Sequence, residues 1–128
     1  MTLTYSPLPM RWLLTVFFLT LGVSSAHASI TCAAFETTHW YPRLKAMPIS
    51  DKSMHCALSC HLANECSVVD SWTFGRVKEL IDVFGPGDAE WKDLEANDDG
   101  LLMSITGRAR NIRECIHECR TIYPGPPN

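Results

Sequence analysis

The chain has 128 residues, 46% of them hydrophobic, with 14 acidic and 11 basic side chains, five histidines and six cysteines. Its formal net charge of −3 gives no electrostatic reason to seek nucleic acid or an anionic membrane surface. There is no Ser-His-Asp order, no glycine-rich phosphate loop and no odd cysteine, so the common nucleophile and nucleotide-binding classes have no signature here.

Residues 1–28 read as a signal peptide. Arg11 supplies the positive flank, Trp12–Val23 is an uncharged apolar stretch, and Ser24-Ser25-Ala26-His27-Ala28 ends in the small-x-small pattern of a cleavage site before Ser29. The stretch has 12 residues, whereas spanning the hydrocarbon core takes roughly 20. Cys32 lacks the apolar and small residues that precede a lipid-anchor cysteine. The mature chain retains all 14 acids against 10 basic residues, a net charge of −4, and its 100 residues support one modest core. A soluble periplasmic or secreted product is expected.

Residues 29–49 lack helical periodicity and contain Pro42 and Pro48, so they are expected to form an extended arm. A disulfide-bonded helical domain spans 50–124, and 125–128 is a tail. Ser50-Asp51 is a helix start, and the first helix runs from about Asp51 to Asn64 with Met54, Ala57, Leu58, His61 and Leu62 as its buried stripe. A second helix begins near Ser71. Val77, Leu80, Ile81 and Phe84 have the spacing of one buried helix face, and Gly85-Pro86-Gly87 ends it. Asp88 caps a third helix with Glu90 in its first turn and Trp91, Leu94, Leu101, Leu102 and Ile105 as its apolar residues. Gly107 interrupts, and a fourth helix carries Ile112, Cys115, Ile116, Cys119 and Ile122 up to Tyr123-Pro124-Gly125. No segment alternates with period two. The expected fold is all-α, a small four-helix domain.

The third helix contains a local conflict. If it is continuous, its apolar stripe carries Asn97 or Asp98 to the edge of the core, where an unpaired polar group costs several kcal/mol. If Asn97-Asp98-Asp99-Gly100 is a turn, the helix breaks. Both readings stand on the sequence. A calcium loop is rejected, because Glu95 and Thr106 occupy its first and twelfth positions.

Cys56-x3-Cys60 and Cys115-x3-Cys119 each place two sulfurs on one helix face. Two such helices packed antiparallel pair Cys56 with Cys119 and Cys60 with Cys115, a helical hairpin stapled in two layers. Cys32 and Cys66 remain for a third bridge. The rival is a metal site, with Met54, His55, Cys56, Cys60 and His61 as a soft cluster or four cysteines around zinc. The oxidising compartment favours disulfides, and no metal or cofactor is expected.

Met54-His55-Cys56-x3-Cys60, Gly75-Arg76-Val77-Lys78-Glu79, Asp93-x3-Asn97-x2-Gly100 and the second C-x3-C together resemble a bacterial helical domain. That domain stands at the C termini of Rhs-type polymorphic toxins and also occurs as free-standing secreted proteins. The similarity covers about residues 52–119. Its polar signature, carried over, makes His55, Glu79, Asp93 and Asn97 the candidate catalytic residues. Lys78 departs from the pattern, which has His before the acid. The resemblance implies a toxin-like or otherwise extracytoplasmic role and names no substrate; the function expected is that of a toxin-related exported protein with a hydrolytic or metal-assisted site around His55.

Read as residues alone, a histidine with two carboxylates and an amide suits general acid–base work or a hard metal ion. The plainer reading packs His55 on the disulfide layer, pairs Glu79 with Arg76 on a solvated face, and leaves Asp93 wet. The functional alternatives are a periplasmic binding module, such as an inhibitor or immunity protein, and a structural envelope component. The partner expected is a protein or small molecule, with no nucleic acid and no membrane span after signal cleavage.

Overall fold

In a computed structural model, residues 31–85 and 90–126 are described. The expected signal peptide, the expected Asp88 cap and Pro86-Gly87 lie outside the described residues. Helices occupy 31–45 (α1), Asp51–Glu65 (α2), Val68–Phe84 (α3), Trp91–Ile105 (α4) and Ile112–Ile122 (α5), and no strand occurs among the described residues. The fold is all-α.

Local chemistry sets the helix ends. The Ser50 hydroxyl accepts the Ser53 N–H at 3.2 Å, and Ser67 accepts that of Asp70 at 3.0 Å. The Ser67 cap starts α3 three residues before the expected Ser71. Asn111 caps α5 by accepting from the N–H groups of Arg113 and Glu114, each at 3.1 Å. Glu90 is the N-cap of α4 rather than a first-turn residue, and its side chain makes no cap hydrogen bond. Gly107, at φ +68°, takes the left-handed position that ends α4.

The expected extended arm is instead a helix, α1, which among the described residues adds to the four helices expected of the 50–124 domain. Ala33, Glu36, Thr37, Trp40, Tyr41 and Leu44 are buried or half-buried at helical spacing. Four of those six, Glu36, Thr37, Trp40 and Tyr41, are polar or amphipathic, which hides the period from a hydrophobicity reading. Pro42 sits in the last turn with its ring exposed, so it removes one helical hydrogen bond only near the helix end, and Pro48 lies beyond that end.

α2 is the hub. Ser53, Met54, His55, Cys56, Ala57, Ser59, Cys60, His61, Leu62 and Ala63 are all buried, so it is enclosed on every side. It packs most extensively on α4, then α5, then α3. The three disulfides join Cys56 to Cys119, Cys60 to Cys115 and Cys32 to Cys66, with Cα–Cα distances of 5.8, 5.9 and 5.8 Å. The stapled hairpin of α2 and α5 therefore forms as its spacing dictates.

α4 runs without a break through Asn97–Gly100, which settles the conflict in favour of a continuous helix. Gly100 serves the crossing with α2. A Cβ there would collide with the Cys56 carbonyl oxygen and come 2.9 Å from the Cys60 amide nitrogen. α4 consequently turns Asp93, Ala96, Asn97 and Gly100 inward. Of its expected apolar residues only Leu101 is buried, while Trp91, Leu102 and Ile105 are exposed. α3 is reversed in the same way. Its expected core face of Val77, Leu80, Ile81 and Phe84 points outward, and Ser71 and Glu79 are buried instead. α5 keeps its expected stripe except Ile122, which is 40% exposed.

Two outcomes follow. Gly100→Ala should destabilise the domain by about 2 kcal/mol, because overpacking against backbone (about 1–3 kcal/mol) outweighs the better helix propensity of alanine (about 1 kcal/mol). A thermal melt showing stabilisation would contradict the close crossing. Cys60→Ala with Cys115→Ala should melt lower than Cys32→Ala with Cys66→Ala. The first bridge is fully buried and closes 55 residues, whereas the second is partly exposed and closes 34.

Candidate functional site

The four candidate residues are all buried. His55 on α2 is 8% exposed, Glu79 on α3 5%, Asp93 and Asn97 on α4 4% and 6%. The tight α2–α4 crossing brings His55 and Asp93 together. His55 Nε2 lies 3.6 Å from Asp93 Oδ2 and 3.7 Å from Asp51 Oδ2, ion-pair distances longer than a hydrogen bond.

Lys52, one turn before His55, completes the cluster and was missed by sequence reasoning. Its ammonium bonds Asp93 Oδ1 and Glu90 Oε2, and stands 3.7 Å from Asp51 Oδ2. Partial burial works against the charged lysine, but the hydrogen bonds to Asp93 and Glu90 prevail and hold its pKa well above the ordinary value. The same contact with Lys52 lowers the Glu90 carboxyl. The available signal was the spacing: Asp51, Lys52 and His55 fall within one helical turn, on adjoining parts of the surface that meets α4.

Asp51, His55 and Asp93 each offer one ligand atom, all within 4.8 Å of one another, a set that can hold a hard metal ion. Lys52 already supplies a positive charge to Asp93. The arrangement therefore suits acid–base chemistry more directly than metal chemistry.

His55 and Asn97 also line a cavity of about 320 Å³ between α1, α2 and α3. Its apolar wall comes from Met54, Leu58 and Leu62 of α2 and Phe74, Val77 and Ile81 of α3, with Thr37 and Tyr41 contributed by α1. Asn97 reaches it beneath Gly75, where an added Cβ would stand 3.0 Å from the amide nitrogen. Asn97 Nδ2 and Thr37 Oγ1 are buried without a hydrogen-bond partner among the described residues. Both residues border the cavity, from α1 and α4, and unsatisfied buried polar atoms of this kind are costly.

Glu79 does not join His55. It stands outside the Asp51–His55–Asp93 group and borders a separate groove with Trp91 and Leu94. Its Oε1 accepts from Lys78 at 3.0 Å, and its Oε2 has no partner among the described residues. Burial opposes the Lys78 charge, but bonds to Asp82 and Glu79 raise its pKa. Arg76 binds Asp98 across α3 and α4 at 3.0 Å rather than pairing with Glu79. The structure thus brings together His55, Asp93 and Asn97, and leaves Glu79 apart.

Comparison with protein-family models, curated proteins and solved structures gives no match to this chain. Among the described residues, no helix is long and apolar enough to cross a membrane.

Lys52→Met should destabilise the domain by about 1–3 kcal/mol, since it leaves the buried Asp93 carboxylate facing Glu90 and Asp51 with less compensation. Adding Asp93→Asn should recover part of the loss in a double-mutant cycle. A double variant that melts at the sum of the two single losses would show that the pair does not couple.

Proposed function

We propose that the protein is an exported, toxin-related hydrolase whose acid–base centre is His55. Asp93 positions the imidazole, and Asn97 donates a hydrogen bond to the substrate oxygen that gains charge. The observation that carries this reading is the buried His55–Asp93 contact beside a cavity that holds the unpartnered Asn97 amide. Contacts of this length in an unliganded site tighten when substrate binds.

In the proposed reaction His55 takes a proton from water as the water oxygen bonds to an acyl carbon. The Asn97 amide stabilises the resulting oxyanion. Collapse breaks the bond to the leaving group, and His55 returns the proton to it. An exported role draws support from the signal-like residues 1–28, the three disulfides and the resemblance to Rhs-type toxin domains. Glu79 takes no step, because it borders the other groove.

A second reading, a periplasmic binding module of inhibitor or immunity type, is supported by the exposed apolar face of α3. Directing the chain to the bacterial periplasm and measuring growth and acyl hydrolysis separates the two. The hydrolase reading expects arrested growth and a loss of about 10²–10⁴-fold in hydrolysis for His55→Gln. The melting temperature of that variant should change by less than about 4 °C. Full activity in His55→Gln overturns the assignment. Loss of folding in His55→Gln and Asn97→Ala alike makes the cluster a structural network and leaves the binding module in the lead.

A further inference from the structure

α3 presents an unusual surface. Val69 is 70% exposed, Leu80 57%, Ile81 63% and Phe84 84%, with Val83 beside them. Contiguous apolar faces of this kind mark an interaction site on a soluble domain. Val77 and Ile81 belong to the exposed face and also to the wall of the His55 cavity. A surface that touches α3 is therefore continuous with the cavity interior.

Charge narrows the occupant. The α3 cations are committed, Arg76 to Asp98 and Lys78 to Glu79 and Asp82. With a net charge of −3 on the chain, neither an anionic surface nor an acidic partner gains attraction here. With its cations paired, the face offers no free positive charge of its own, and a contact with its exposed residues is apolar, with neutral or zwitterionic groups around it. Trp72, half exposed with Arg76 lying 5.2 Å from its ring, and the exposed Trp91 supply the amphipathic rings that settle at a lipid headgroup level. The cavity itself is at the small end of ligand pockets, apolar along α2 and α3, with His55 and the unpartnered Asn97 amide on its wall. That polarity suits an acyl chain ending in an ester.

We infer that the cavity takes the acyl chain of a zwitterionic membrane lipid, and that the outward face of α3 seats the protein on the lipid surface that supplies it. The inference rests on the hydrolase reading for its chemistry and gives that reading a substrate class. Water adds to the ester carbonyl carbon, the carbon–alkoxy bond breaks, and His55 moves the proton from water to the departing alcohol. The products are a fatty acid and an alcohol.

Two binding measurements on protein exported from the full chain test this without relying on activity. Cosedimentation with phosphatidylcholine vesicles should show binding that is insensitive to salt and weakened about tenfold or more by Leu80→Glu, which sits on the exposed face. A tenfold loss corresponds to about 1.4 kcal/mol. Monomeric lauroyl-lysophosphatidylcholine should shift the methyl resonances of Met54 and Leu62, and Leu58→Trp, which fills the cavity, should abolish the shifts. Absence of vesicle binding, or binding indifferent to Leu80→Glu, overturns the inference. So do unmoved Met54 and Leu62 methyls. Dimerisation in analytical ultracentrifugation that Leu80→Glu abolishes, without lipid binding, overturns it in favour of a second copy on α3. Lipid binding as expected but with no hydrolysis leaves the inference about the ligand standing and overturns the hydrolase reading alone.

Discussion

The enclosure of α2 is the constraint on which the other four helices depend. A helix buried on all sides must find partners for its polar side chains within the protein, and those of α2 each select a neighbour. The Ser53 hydroxyl donates to the Tyr123 carbonyl at 2.8 Å, fixing the end of α5. Ser71 of α3 donates to the Ser59 carbonyl at 2.7 Å, with the two hydroxyls 3.0 Å apart. His61 Nε2 meets Glu36 of α1 at 2.9 Å, beneath the edge-on ring of Trp40. His55 faces Asp93 of α4. The Cys56–Cys119 and Cys60–Cys115 bridges then hold α5 in place covalently, which a core of this size needs.

The site is a by-product of unequal packing around that hub. On the α4 side, Ala57, Ala96 and Gly100 allow close approach, so Asp93 reaches both Lys52 and His55. On the α3 side contact is sparser and centred on two serines, and the space between α1, α2 and α3 stays open as the cavity. Tyr123, just past α5, ties that helix to α4: its phenol donates to Asp99 at 2.5 Å, and burial followed by that carboxylate raises its pKa. The polar cluster thus arises from the close α2–α4 contact, and the cavity from the sparser contact of α2 with α3.

This packing explains what the sequence discloses. The disulfide pairing was legible because i, i+4 cysteines leave few geometries open, and the Ser50 start was legible because capping is local chemistry. Helical spacing placed Asp93 and Asn97 on one face of α4, and i, i+4 spacing did the same for Asp51 and His55 on α2. The inward faces of α3 and α4 were not legible. Periodicity reports that Val77, Leu80, Ile81 and Phe84 share a side, but inward orientation is an inference from hydrophobicity, and here buried Ser71, Glu79, Asp93 and Asn97 take the inner positions. α1 escaped for the same reason, since Glu36 and Thr37 interrupt its inner stripe. Glu79 was misjudged as a partner of His55, because helical spacing within α3 says nothing of which groove the residue borders.

The orientation of α3 is therefore the claim from which cavity and lipid-facing surface both follow. Methyl NMR in the presence of a soluble paramagnetic relaxation agent reads it directly. The account predicts strong relaxation of the Leu80, Ile81 and Val83 methyls, with those of Leu44, Leu62 and Leu101 protected. Protected α3 methyls would contradict it, placing the apolar face inward and closing the cavity beside His55.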